Sequence, residues 1–159
     1  MDIITVTRGG FCICGRAAET TLENNDADIS KLYADFFGSG LDKALSGLPG
    51  AGAGYYGLEW YTENHKSFFY LLGREVSGDA PVPEGTVMKQ IPPGIYAVTR
   101  LPAGSDIVEA WTEFFYAAIP AAGLAPDESH GFYFEYYPKD VRGECELWVP
   151  VVAKQPRGV

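Results

Sequence analysis

The apolar positions of this chain fall into two helical stripes set among short alternating runs. From Asp28, the residues Ile29, Leu32, Tyr33, Phe36 and Phe37 step by three and one, which marks one face of a helix. Gly38 and Gly40 weaken that helix, and Leu41 and Leu45 carry the stripe past them. A second helix is expected from Ser105, a good N-cap residue, with Asp106 and Glu109 placed to complement the helix dipole. Its stripe is Ile107, Val108, Trp111, Phe114, Phe115 and Ala118, and Pro120 with Gly123 ends it.

The helices repeat each other. DISKLYADFF (28–37) and DIVEAWTEFF (106–115) share Asp, Ile, an aromatic, an acid and Phe-Phe in register. The flanks repeat as well: GFCICGR (10–16) with GIYAVTR (94–100), LEWY (58–61) with FEYY (134–137), and YLLGREV (70–76) with LWVPVV (147–152). Strand, helix, strand, strand thus occurs twice at a spacing of roughly 80 residues, longer than a solenoid period. A unit that cannot bury its own apolar face packs against its copy. The expectation is one α+β domain over 1–159, built from two pseudo-symmetric βαββ modules packed on each other. The halves are 1–76 and 86–152, joined by the Gly- and Pro-rich linker 77–85.

Strand alternation then sorts side chains by face. In GFYFEYYP, Phe132, Phe134 and Tyr136 share one side, and Tyr133, Glu135 and Tyr137 the other. In CELWVPV, Cys145, Leu147 and Val149 lie opposite Glu146 and Trp148. Glu59, the repeat partner of Glu135, shares its face with Tyr55, Gly57 and Tyr61, and is either a second acid set among rings or solvated. A carboxylate among large rings faces solvent, takes up a proton, or is compensated by a cation.

Composition narrows the partners. Aromatic residues make up 14% of the chain and ten are Tyr, whose rings line a site while keeping a polar tip. A net charge of −9 disfavours direct binding to nucleic acid or an anionic membrane and favours cations. No apolar run is long enough to span a bilayer, and the start, MDIITVTRGG, lacks signal-peptide character, so a cytoplasmic location is expected. Cys12, Cys14 and Cys145 read as buried thiols, with no metal site and no cofactor implied. His65 and His130 are isolated and expected to be exposed; no nucleophilic triad or GxSxG turn occurs. The glycines of GLPGAGAG (47–54) lack the helix and Lys of a phosphate-binding loop.

The run PPGIYAVTRLPAG, a Trp-bearing helix, GFYFEYYP and GECELWVPV resemble the GyrI-like, or effector-binding, domain family, and YYGLEWY with YLLGREV fits its first half. The resemblance implies a free-standing ligand-binding domain over 1–159, its two pseudo-symmetric βαββ modules having antiparallel sheets and a drug-binding ligand cleft between them. Carried over by position, its glutamates are Glu135 and Glu146, its strand aromatic Trp148 and its helix aromatics Tyr33 and Trp111, with Phe69 a further match; Tyr137 and Glu59 join them from the shared strand faces. It implies small lipophilic, cationic ligands held for sensing or sequestration. The alternative is a hydrolase of electrophilic small molecules with Glu135 as general base. A separate protein partner is a third reading.

Overall fold

The structure, a computed structural model, describes residues 1–155. Its strands are β1 (Ile4–Arg8), β2 (Phe11–Thr20), β3 (Tyr55–Tyr61), β4 (Phe68–Val76), β5 (Val87–Ile91), β6 (Gly94–Leu101), β7 (Leu124–Pro126), β8 (Tyr133–Tyr137) and β9 (Cys145–Ala153). Helices α1 (Asn25–Gly38) and α2 (Leu41–Ser46) lie between β2 and β3. Between β6 and β7 lie α3 (Ile107–Glu113), a π-helical turn (Phe114–Ala118) and α4 (Ile119–Ala121).

The strands run β1-β6-β9-β8-β3-β4-β2-β5, with β7 added on β9, and every pairing among them is antiparallel. The fold is thus α+β, as the repeat implies. The two modules merge into one sheet rather than two, and β3 against β8 is their seam. Each module also gives away a strand. β1 precedes β2 in the chain but pairs with β6, while β5 precedes β6 but pairs with β2. This exchange ties each half to the other's edge.

Side-chain alternation gives the sheet two apolar faces. On the helical face, Leu32 and Phe36 of α1 and Ala110 of α3 pack with Phe114 and Ile119 onto Cys14, Leu72, Ala97, Leu147 and Val149. On the other face, Ile13, Tyr56, Leu58, Leu71, Tyr96, Val98 and Phe134 form a second cluster. There the sheet curls on itself: Arg8 on β1 donates to Glu75 on β4 at 2.9 Å and to the Tyr56 hydroxyl on β3 at 3.0 Å. Its guanidinium lies 3.6 Å from the Phe11 ring centroid, a cation–π contact. On the helical face, the buried Arg74 is held by Asp42 of α2 at 2.8 Å and by the Gly52 and Ala53 carbonyls, which satisfies a charge that burial would otherwise penalise.

Local details correct three expectations. Asp106, not Ser105, caps α3, accepting the Glu109 N–H at 3.1 Å while the Ser105 hydroxyl turns to the Pro102 carbonyl. Gly40, at φ 79°, breaks the first apolar stripe into two helices. His130 is buried rather than exposed: its Nε2 sits 2.9 Å from both the Pro92 carbonyl and the Tyr96 hydroxyl. Since a carbonyl only accepts, Nε2 is the nitrogen that donates there. His65 is exposed, Cys12, Cys14 and Cys145 are buried free thiols, and no helix among the described residues is long and apolar enough to cross a membrane.

Candidate functional site

A cleft of about 490 Å³ opens between α1 and α3 over the β3–β8 seam. At its floor, Glu135 of β8 is 4% exposed. Both carboxyl oxygens are engaged. Tyr70 of β4 and Tyr137 of β8 donate to Oε1 at 2.9 and 3.0 Å, and Trp111 Nε1 of α3 donates to Oε2 at 2.8 Å. The Tyr33 hydroxyl of α1 lies 2.6 Å from that of Tyr70, so the network reaches both helices.

The approach of Tyr70 depends on what is missing beside it. In register, Tyr70 lies across from Glu59, and Gly57 across from Glu135. The Tyr70 ring leans over Gly57 to reach the carboxyl. A Cβ on Gly57 would stand 2.7 Å from Tyr70 Cζ and 2.8 Å from Glu135 Oε1. Here the glycine serves close approach rather than an unusual backbone angle.

The walls are aromatic. Trp111 stacks on Phe115 with centroids 5.4 Å apart, and both meet the Tyr133 ring edge-on at 5.4 and 5.3 Å. The π-helical turn carries Phe115 of this pair. Pro120 has no N–H to give the Tyr116 carbonyl, and the Ile119 N–H bonds five residues back to Phe114. Leu22, Val108 and Tyr116 stand exposed around the mouth.

Burial dominates the electrostatics. It raises the Glu135 carboxyl above its usual range, against the opposing hydrogen bonds from Trp111, Tyr70 and Tyr137. Glu59 is pushed to about 8, first by burial and then by the neighbouring Glu135, with the Tyr133 hydroxyl acting in the opposite sense. Tyr33, Tyr70, Tyr133 and Tyr137 are all raised by burial first, so they stay protonated. Burial likewise holds the Cys145 thiol up at about 12. Asp26, Glu59 and Glu135 line the cleft, and no Lys, Arg or His does so among the described residues.

The structure therefore brings together Tyr33, Glu59, Trp111, Glu135 and Tyr137 of the expected set. It separates Glu146, Trp148 and Phe69 from them. Glu135 pairs with Leu147 in register, so Glu146 and Trp148 project from the opposite face of the sheet. There Trp148 stacks on Phe134 with centroids 5.4 Å apart, and Glu146 takes hydrogen bonds from Trp148 Nε1 and Arg100. Phe69 also faces that side, stacked on Trp60 at 5.1 Å, while its neighbours Phe68 and Tyr70 face the cleft. Tyr70 lines the cleft and donates to Glu135 but is absent from the expected set, because its inward face follows from the register of β4 on β3, where it pairs with Glu59.

The fold and cleft define a small-molecule effector-binding domain of the GyrI-like type. The model of the Cass2 family, integron-associated effector-binding proteins, matches residues 5–151, and the chain belongs to that family. It is 34% identical over 91 residues to the transcriptional regulator BrlR of Pseudomonas aeruginosa; the match takes in 53% of this chain and spans a third of that regulator's length. Among solved structures, SAV2435 bound to tetraphenylphosphonium aligns with a TM-score of 0.71 at 14% identity, over 96% of this chain and 94% of that one. An integron cassette protein from the mobile metagenome of Vibrio cholerae aligns with a TM-score of 0.67 at 19% identity, over 94% and 95% of the two chains.

Proposed function

We propose that the cleft binds lipophilic cations, as a sensing or sequestering module. The observation that carries this reading is Glu135: a buried carboxyl at the floor of an aromatic cleft lined by no basic side chain among the described residues. Its three donors support the ionised form and burial opposes it, so an entering cation tips the balance.

The proton has somewhere to be in either state. Trp111 Nε1 can only donate, whereas the Tyr70 and Tyr137 hydroxyls can turn to accept from a protonated Oε1. A cation replaces that proton with its own charge. Ring faces add about 0.5–2 kcal/mol each to a desolvated cation, and apolar ligand area roughly 25 cal/mol per Å² buried. An anion meets three carboxyl groups instead. The walls ask for area rather than direction, so broad specificity at about micromolar affinity, near −8 kcal/mol, is expected.

The test is a thermal-shift screen of lipophilic cations, matched neutral compounds and electrophiles, with products analysed for every hit. Cations are expected to raise the melting temperature of the wild type more than that of Glu135→Gln. Equal shifts in both proteins contradict the reading. Conversion of an electrophile that is lost in Glu135→Gln replaces binding with hydrolysis.

A further inference from the structure

The cleft holds two carboxyl groups, and the symmetry of the seam relates them. Matching LEWY to FEYY carries Glu59 onto Glu135, and it carries the pair Gly57–Glu135 onto the pair Tyr133–Glu59. Both acids therefore project from the helical face of adjacent strands, each one step along a diagonal from the other. Diagonal neighbours on an antiparallel pair stand about 7–8 Å apart at Cα. Each has aromatic company: Trp111 donates to Glu135, while Glu59 lies opposite Tyr133, whose ring is 6.1 Å from that of Tyr61.

The geometry points to a ligand with two positive centres, one held by Glu135 at the floor and the other by Glu59 beside Tyr133 and Tyr61. This rests on the cation reading of the same cleft and narrows it to a class of ligand. A single cation can compensate one acid. The other then stays protonated, in keeping with the upward displacement of Glu59 by burial first and by its neighbour second. A second positive centre at the right spacing lets both acids ionise without mutual repulsion. That centre must shed its own hydration, so a dication outbinds an equal-sized monocation only where a second carboxylate receives it.

The test uses p-xylylene-bis(trimethylammonium) and its isostere, in which one nitrogen is replaced by carbon to leave a single charge. Titration calorimetry of the wild-type protein is expected to show the dication binding about tenfold more tightly. Glu59→Gln should bring the ratio of the two affinities close to one, and Glu59→Asp, which keeps the charge, should retain the preference. Glu135→Gln should weaken both ligands. Equal affinities in the wild type, or a preference that survives in Glu59→Gln, overturns the two-centre assignment while leaving the cation reading intact. Failure of both cations to bind the wild type overturns both.

Discussion

Glu135 and Glu59 occupy equivalent places in the two halves, yet their surroundings differ. Beside Glu135 the cross-strand neighbour is Gly57, and Tyr70 reaches over it to donate. Across from Glu59 stands Tyr133 instead of a glycine, and the repeat counterpart of Tyr70 is Leu147, which has no hydroxyl to donate. Trp111 donates to Glu135, whereas Tyr33, its counterpart on α1, turns its hydroxyl to Tyr70. One half thus builds a buried, fully engaged acid, and the other leaves its acid half-buried at the cleft wall. A repeated fold supplies two positions for a carboxylate, and small asymmetric substitutions make one the floor of a site.

The largest disruption should come from filling the space that only one half keeps open. Gly57→Ala forces Tyr70 and Glu135 apart, and about 1–3 kcal/mol of stability should be lost with most cation binding, as read by chemical denaturation and titration. Retention of both would show that Tyr70 has room to move. Tyr70→Phe removes one donor to Glu135 and the contact to Tyr33; a loss of about 1 kcal/mol and a several-fold weaker cation are expected. Unchanged binding in that variant would remove Tyr70 from the account.

A third effect concerns protons and is read as a slope with pH rather than as the loss of a contact. The folded protein holds Glu59 protonated up to about pH 8, while the unfolded chain releases that proton near 4.5. In that window the native state binds more protons, so this group's contribution makes the ligand-free protein less stable as pH rises from about 5 to about 8. Cation affinity should rise over the same range, because the ligand favours the ionised acids. Glu59→Gln should flatten both trends. The groups facing Glu59 and Glu135 in the cleft are Asp26, Tyr33, Tyr61, Tyr70, Tyr133 and Tyr137. A stability that rises with pH in the wild type and not in the variant would reverse the sign assigned to Glu59.

Much of this was legible before the structure, and the reason is local periodicity. Helical stripes placed Tyr33 and Trp111 on inward faces, and alternation put Glu135 with Tyr133 and Tyr137. The repeat anticipated the βαββ order and the equivalence of Glu59 with Glu135. What escaped it was register between strands. Alternation separates Glu146 and Trp148 from Leu147, but only the pairing of Glu135 with Leu147 shows which set shares the cleft. A slip of one residue would have reversed the answer. Phe68, Phe69 and Tyr70 are consecutive aromatics, so their composition hides which side faces inward. The exchange of β1 and β5 is equally non-local, since each pairs with a strand of the other half.

In the proposed function, Glu135 selects the sign of charge in this cleft. The direct measurement is a calorimetric titration of wild type and Glu135→Gln with tetraphenylphosphonium and tetraphenylborate, ions of nearly equal shape and opposite charge. Gln fits the same space, with its oxygen toward Trp111 and its amide toward the tyrosine hydroxyls. The wild type is expected to bind the cation and exclude the anion, and Glu135→Gln to weaken the cation about 10–100-fold and narrow the difference. Equal binding of the two ions by the wild type, or an undiminished preference in Glu135→Gln, would contradict it.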